Sequence, residues 1–349
     1  MIFSQILMDW YENNSRDLPW RGTKDPYKIW LSEIILQQTR IEQGLPYYHK
    51  FIKAFPTVYD LAKSKEENIF KLWQGLGYYS RAENLHLTAK DIVKNYNGIF
   101  PKSHQELKTF KGIGDYTASA IASICFDIPE AVIDGNVFRF LGRFFGIETP
   151  INSSKGFNLF KTKANKLIKR QSPGDFNQAL MDFGSIQCKP KTPICLECVF
   201  STKCYAFKNK KVNFYPVKIN KIKIKTRYFN YLVIHNSQNQ TVLEQIHLKG
   251  IWHKLYQFPM IEYDKIIEKP TDEFQNIIRK YSKETVLKIT PIFKTPILHK
   301  LSHQKLIIQF WEVVLSNKSI LPIDEEKVFS FPVPVVIEKF MTQFYKTLN

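Results

Sequence analysis

Four of the chain's five cysteines, Cys188, Cys195, Cys198 and Cys204, fall within seventeen residues, with gaps of six, two and five between them. Thiols that close together can surround one metal centre, and an all-sulfur donor set suits zinc or an iron–sulfur cluster. Cys125 stands apart, between Ile121, Ile124 and Phe126, and reads as a core thiol. A second pattern is Lys111-Gly112-Ile113-Gly114-Asp115-Tyr116. Two glycines permit a tight turn with unusual φ values, and a helix following the turn presents free N–H groups that can hold a phosphate. A plain helical hairpin with a glycine turn would use the same residues. Two carboxylates stand out. Glu33 shares a helix face with Trp30, Leu36 and Gln37, and apolar neighbours raise a carboxyl's pKa. Asp134 precedes Gly135-Asn136-Val137 and is placed to cap a helix.

The elements that must position these groups divide into two kinds. Residues 1–206 read mainly as helix, with apolar residues at helical spacing over 27–55, 60–74, 81–95, 116–126 and 137–145. Ser103-His-Gln-Glu106 has the capping-box pattern and opens a short helix ending at Phe110. Residues 207–227 form a linker; from 208 on it carries eight Lys/Arg, no acidic residue and Pro216, so it reads as a solvated tether that also suits DNA phosphate. Beyond it, Tyr228–Ile234, Thr241–Leu243, Pro291–Leu298 and Lys305–Leu315 read as strands, with helices near Asp272–Tyr281 and Val335–Tyr345. Residues 228–349 are therefore a smaller α+β domain.

At 349 residues and 44% hydrophobic, the chain can bury more than one core. Its net charge of +18 favours a polyanionic partner, nucleic acid before membrane surface. No 18-residue apolar run is present, so no membrane span is expected. The N-terminus lacks the basic region of a signal peptide, and clustered cysteines without one point to a reducing cytoplasm.

Taken together, Gly112-Ile113-Gly114, Val132-Ile-Asp134-Gly135-Asn136-Val137 and the cysteine run resemble the helix–hairpin–helix, endonuclease III-like DNA glycosylase superfamily. Ser32-Glu33-Ile-Ile-Leu-Gln37-Gln38-Thr39, Gly75-Leu76-Gly77-Tyr78-Tyr79-Ser-Arg81-Ala82 and Phe176-Asn177-Gln178-Ala-Leu-Met-Asp182-Phe-Gly184 narrow the resemblance to the adenine DNA glycosylase family. It implies a multidomain protein: an all-α helix–hairpin–helix domain with one [4Fe–4S] cluster on Cys188, Cys195, Cys198 and Cys204, plus an α+β Nudix-like C-terminal domain. The implied partner is duplex DNA carrying adenine opposite 8-oxoguanine or G, bound by a monomer, with no membrane. The implied reaction is hydrolysis of the adenine N-glycosidic bond, which initiates base excision repair.

The resemblance also distributes roles. Glu33 protonates the adenine and helps activate water, Asp134 stabilises the sugar cation or a covalent adduct, and Asn136 orients the site. The two-carboxylate logic parallels that of glycoside hydrolases. Relatives that also cut the strand carry a Schiff-base Lys where this chain has Tyr116, which implies a monofunctional enzyme. Lys111, where many relatives carry Pro, reads as a phosphate contact. An adenine inside a duplex must flip out. Gln38 and Leu76 match residues that wedge into the gap, Tyr78 one that stacks near the oxidised guanine, and Arg21 and Gln178 ones that line the adenine pocket. Trp20 and Trp30 read as core.

In the C-terminal half, Gly250-Ile-Trp252-His253-Lys254-Leu255-Tyr256-Gln-Phe258-Pro259 matches a motif near the start of the lesion-reading domain, with His253 and Lys254 where small residues are usual. No Glu cluster of a nucleotide-hydrolysing Nudix box appears between 240 and 290. Leu301-Ser302-His303 matches the recognition loop, with Leu301 in the Phe position; Ser302 and His303 are the expected hydrogen-bonding residues. The competing readings are a bifunctional glycosylase/lyase, opposed by Tyr116; a non-catalytic iron–sulfur DNA-binding or redox sensor, opposed by the Glu33/Asp134 pair; and a Nudix hydrolase with an added DNA module, opposed by the missing box.

Overall fold

The structure, a computed structural model, describes residues 2–168, 172–219, 224–283, 286–316 and 320–346. It forms two compact units. The first comprises residues 1–64 and 84–220, the second 65–83 and 221–349. Residues 65–83, expected to belong to the helical half, thus pack within the second unit.

The helices run in chain order as α1 (Ile2–Asn14), α2 (Pro26–Leu36), α3 (Ile41–Ala54), α4 (Val58–Lys63), α5 (Glu66–Trp73), α6 (Ser80–Tyr96), α7 (His104–Leu107), α8 (Asp115–Phe126), α9 (Gly135–Phe145), α10 (Ser154–Leu167), α11 (Pro173–Ile186) and α12 (Tyr205–Lys208). All except α5 and the start of α6 belong to the first unit.

The apolar stretch 27–55 is two helices rather than one. The chain breaks after Leu36, and Gln38 takes a left-handed φ of 56°. At the start of α2, Asp25 accepts the Tyr27 N–H at 2.9 Å and Pro26 occupies the first turn, a favourable helix entry. Ser103 caps α7 through the Glu106 N–H at 3.1 Å. The Glu106 carboxylate accepts from the Ser103 hydroxyl at 2.7 Å, so the reciprocal bond is side chain to side chain rather than the backbone bond of a full capping box.

The core of this unit joins α1, α9 and α11 through Leu7, Phe140, Leu180 and Phe183, with Phe200 from the cysteine loop. The close approach of α11 to α9 requires Gly184: a Cβ there would lie 2.7 Å from Asn136 atoms. The basic stretch after 206 is not a free tether over its described part. Tyr215 is buried, Arg143 donates to the Val212 carbonyl at 2.9 Å, and Ile151 N–H donates to Val217 at 3.0 Å. Residues 220–223 of that stretch lie outside the described residues.

The second unit is built on a sheet of β1 (Lys225–His235), β2 (Gln240–Thr241), β5 (Met260–Tyr263), β6 (Val286–Pro291), β7 (Ile297–Lys300), β8 (Gln304–Leu315) and β9 (Ile323–Asp324); β3 (Glu244–Gln245) and β4 (Tyr256–Gln257) form a separate ribbon. The long β1 and β8 pair in parallel, with Tyr231 beside Phe310. Both are buried on two faces, which explains their nearly unbroken apolar sequences. Phe229, Tyr231, Ile308 and Phe310 pack with α14 (Val335–Lys346). Leu232, Ile234, Trp311 and Val313 pack with Phe274 and Ile278 of α13 (Asp272–Ile278). The expected strand at Pro291–Leu298 is instead mostly the connection between β6 and β7.

Candidate active site

The glycine turn comes first. Gly112 has φ +78°, and a Cβ there would stand 2.8 Å from Asn84 Cβ, so only glycine fits. Gly114 is different: its backbone is extended, and it serves as the N-cap of α8 without a side-chain bond. One left-handed residue, not two, makes the turn. Lys111, Gly112 and Gly114 are all exposed, leaving the α8 N-terminus open to an anion. Asp115 is held by Lys161 at 3.1 Å.

The α8 helix carries Tyr116 inward. Tyr116, Glu33, Asp134, Asn136, Arg21 and Gln178 all line one cavity of about 470 Å³ in the first unit. The catalytic and pocket residues expected from five separate stretches of sequence therefore converge. Trp20 borders the same cavity while remaining buried, and Trp30 is wholly buried core.

Glu33 is buried on α2. Burial pushes its carboxyl up to about 7; the Tyr116 hydroxyl, in hydrogen-bonding reach, and Arg21 oppose the shift, while the nearby Asp134 adds to it. Asp134 caps α9. Its Oδ1 accepts the Asn136 and Val137 N–H groups at 2.9 and 2.7 Å, and its Oδ2 accepts Asn136 Nδ2 at 2.7 Å. Burial raises the Asp134 pKa, and these donors counter it. Tyr116 is also held well above the ordinary phenol value, first by burial and then by Glu33 and Asp134; its hydroxyl meets Met181 Sδ at 3.4 Å. The cavity thus holds a carboxyl that is half protonated near neutrality and a second carboxylate fixed by three donors. That pair can supply a proton on one side of a reacting bond and negative charge on the other.

Residues without an assigned role in the sequence complete the site. Asp182 is fully buried and receives Arg21 Nη1 and Nη2 at 2.5 and 2.7 Å, with Arg16 Nε at 2.7 Å. Burial acts to raise the Asp182 pKa, but the two guanidiniums outweigh it and hold it low. Tyr11 donates to Gln178 Oε1 at 3.0 Å. Arg139 donates to Asn136 Oδ1 at 2.8 Å and to the Cys188 carbonyl at 2.7 Å, so one guanidinium links the Asp134 cap to the cysteine loop. The available signal was two arginines four apart in an aromatic helix, which marks buried charge in need of partners.

Cys188, Cys195, Cys198 and Cys204 line one small cavity of about 30 Å³ walled by Phe140, Phe183 and Phe200, and none is disulfide-bonded. Arg143 Nη1 lies 3.4 Å from Cys188 Sγ. Burial raises the thiols of Cys195, Cys204 and Cys198, the last to about 11. Four soft donors around one apolar cavity, with a guanidinium on one sulfur, fit an anionic iron–sulfur cluster. Among the described residues, no three His, Cys, Asp or Glu side chains group around a single metal ion.

The remaining expected residues lie elsewhere. Gln38 is exposed just beyond α2. Leu76, Tyr78, Ser302 and His303 line a cavity of about 420 Å³ within the second unit, together with Trp252 and His253. The Tyr78 and Ser302 hydroxyls are hydrogen-bonded. Leu76 is buried there, while Tyr78 is exposed.

Residues 31–166 match the family of HhH-GPD superfamily base excision DNA repair proteins, and residues 230–343 match the NUDIX domain. The chain is 38% identical over 307 residues to the adenine DNA glycosylase of Buchnera aphidicola subsp. Schizaphis graminum, covering 83% of this chain and 87% of the relative. It is 34% identical to that of Buchnera aphidicola subsp. Baizongia pistaciae, covering 99% and 97%. A thermostable thymine-DNA glycosylase superposes with a TM-score of 0.56 at 30% identity, over 60% of this chain and 96% of that one. With a DNA glycosylase fold, two carboxylates converging in one cavity and relatives of this name along nearly its whole length, the chain belongs to the adenine DNA glycosylase family.

Proposed function

We propose that this protein is a monofunctional glycosylase that excises adenine mispaired with 8-oxoguanine or G in duplex DNA. The observation that carries the reading is the single cavity shared by Glu33, Tyr116 and Asp134. A flipped adenine enters between Arg21 and Gln178. Glu33 gives its proton to a ring nitrogen of the adenine as the glycosidic bond breaks, and the bonding electrons leave with the base. Asp134, held by the Asn136 and Val137 amides, sets its negative charge against the sugar cation. Glu33, now a carboxylate, takes a proton from the water that attacks the sugar, which restores the acid and leaves an abasic site. Tyr116 offers no amine for a Schiff base.

Leu76 and Gln38 fill the gap left by the adenine, while Tyr78, Ser302 and His303 read the opposite base. The exposed α8 N-terminus with Lys111 holds a backbone phosphate. Cys188, Cys195, Cys198 and Cys204 hold one [4Fe–4S] cluster, which ties the end of the helical domain together. The domain assignment that goes with this reading is a catalytic domain to residue 206 apart from residues 65–83, a basic connection, and a lesion-reading domain from 228, joined by 65–83, that does not hydrolyse nucleotides. The protein acts as a cytoplasmic monomer. Among the described residues no helix is long and apolar enough to cross a membrane.

The test is chromatographic detection of free adenine from duplexes containing A opposite 8-oxoguanine, A opposite G, or thymine glycol. Adenine release from the first two, with strands that break only on heating in alkali, supports the reading. Release of thymine glycol alone contradicts it.

A further inference from the structure

Lys254 sits at φ +67°, where a side chain is disfavoured and glycine or asparagine is the common choice. Its ammonium has a specific use. Nζ lies 2.8 Å from Glu66 Oε1 and 2.8 Å from Glu83 Oε1. Glu66 is the first residue of α5, and Glu83 is in the first turn of α6. One cation therefore joins the two ends of the excursion whose tip, residues 74–79, carries Leu76 and Tyr78.

Other bonds hold the same excursion. Tyr256 donates to Glu67 Oε1 at 3.2 Å, the Val333 N–H donates to Gln74 Oε1 at 3.3 Å, and Lys71 Nζ donates to the Phe329 and Phe331 carbonyls. Inside the loop, Trp73 Nε1 and Arg81 Nη2 both donate to the Gly77 carbonyl at 3.0 Å. The tip itself meets the strand loop through Tyr78 and Ser302. All of these residues belong to one compact unit.

We infer that Lys254 is a positioning residue for recognition of the base opposite the adenine: by bridging Glu66 and Glu83 it fixes the 74–79 loop against the Ser302 loop, so that the wedge and the reading groups move as one body. This deepens the proposed function and rests on it for the identity of the opposite base. Lys254, Glu66 and Glu83 line neither the cavity of Glu33 and Asp134 nor that of the cysteines. Its loss is therefore expected to affect discrimination between opposite bases rather than bond cleavage itself.

The test compares wild type, Lys254→Met, Lys254→Arg and the pair Glu66→Gln/Glu83→Gln. Single-turnover excision of A opposite 8-oxoguanine and opposite G is measured, alongside hydrogen–deuterium exchange of peptides spanning residues 65–83. For two charge-assisted bonds on a partly exposed ammonium, Lys254→Met and the Glu pair should each narrow the preference for 8-oxoguanine by roughly three- to tenfold. Exchange in 74–79 should rise in both, and Lys254→Arg should restore both readouts. An unchanged preference, or equal slowing on the two mispairs, overturns the inference, as does unchanged exchange at 74–79. Wild type that excises no adenine would instead overturn the proposed function, and the exchange measurement would still decide whether Lys254 fixes the loop.

Discussion

Arg21 meets Asp182 through both terminal nitrogens, at 2.5 and 2.7 Å, and the Asp182 side chain has no exposed surface. Arg21 borders the cavity that also holds Glu33 and Asp134; Asp182 fixes Arg21 and has Arg16 as a second partner. Replacing Asp182 with Asn should leave two guanidiniums without their counter-charge and destabilise the protein by about 3 kcal/mol near neutrality. The sign with pH follows from the depressed pKa of Asp182. Its contribution is complete above the ordinary carboxylate value of about 4 and is lost as pH falls through the lower folded value. Urea unfolding of wild type and Asp182→Asn should therefore differ fully at pH 7 and converge only in strong acid. A gap that is already absent at pH 6 would contradict this.

Glu33 behaves in the opposite sense. Its folded pKa of about 7 lies above the ordinary 4.5, so the folded state binds the extra proton between these values and stability falls as pH rises through that window. Glu33→Gln removes the buried charge. It should be more stable than wild type by about 3 kcal/mol at pH 8 and nearly equal to it at pH 4, while adenine excision is lost. In wild type the excision rate should fall about tenfold per pH unit well above pH 7. A rate that keeps rising to pH 9 would remove Glu33 from the role of acid.

Tyr116 tunes that acid. Its hydroxyl lowers the Glu33 pKa, so Tyr116→Phe should move the alkaline fall in rate to higher pH. Borohydride should trap little or no wild-type protein on DNA, because position 116 has no amine. Efficient trapping of wild type would place the chain among the bifunctional enzymes.

Purified without oxygen, the protein should be brown and contain about four irons per chain. Cys198→Ser should lose most of the iron and melt at lower temperature, because the loop that places Phe200 in the core would lose its tie. A colourless wild-type protein with one zinc would contradict the cluster assignment.

Much of the site was legible because its residues sit in local patterns. Glu33 among Trp30 and Leu36 on a helix foretells a desolvated carboxyl, and Asp134 before Gly135-Asn136 foretells the cap observed at α9. Contacts between distant segments were not legible. Nothing near Asp182 in sequence announces Arg16 and Arg21, more than 160 residues away. Arg139 looks like an ordinary helix residue until Asn136 and Cys188 appear on either side of it. The periodicity over 27–55 ran through the break at Gln38 because apolar spacing is blind to a single left-handed residue. The β-branched run at Pro291–Leu298 suited a strand, but only its ends pair with β8. Residues 65–83 carry a normal helical pattern, and their packing in the second unit depends on Lys254, Tyr256 and Val333.

The central claim is that Glu33, held as an acid by burial, releases adenine from a mispair. Single-turnover excision from a duplex with A opposite 8-oxoguanine, followed from pH 5 to 9 for wild type and Glu33→Gln, tests it most directly. Wild type should show alkali-dependent cleavage that declines above about pH 7, and Glu33→Gln should show none. Wild-type rates in Glu33→Gln, or no adenine release from any mispair by wild type, would contradict it.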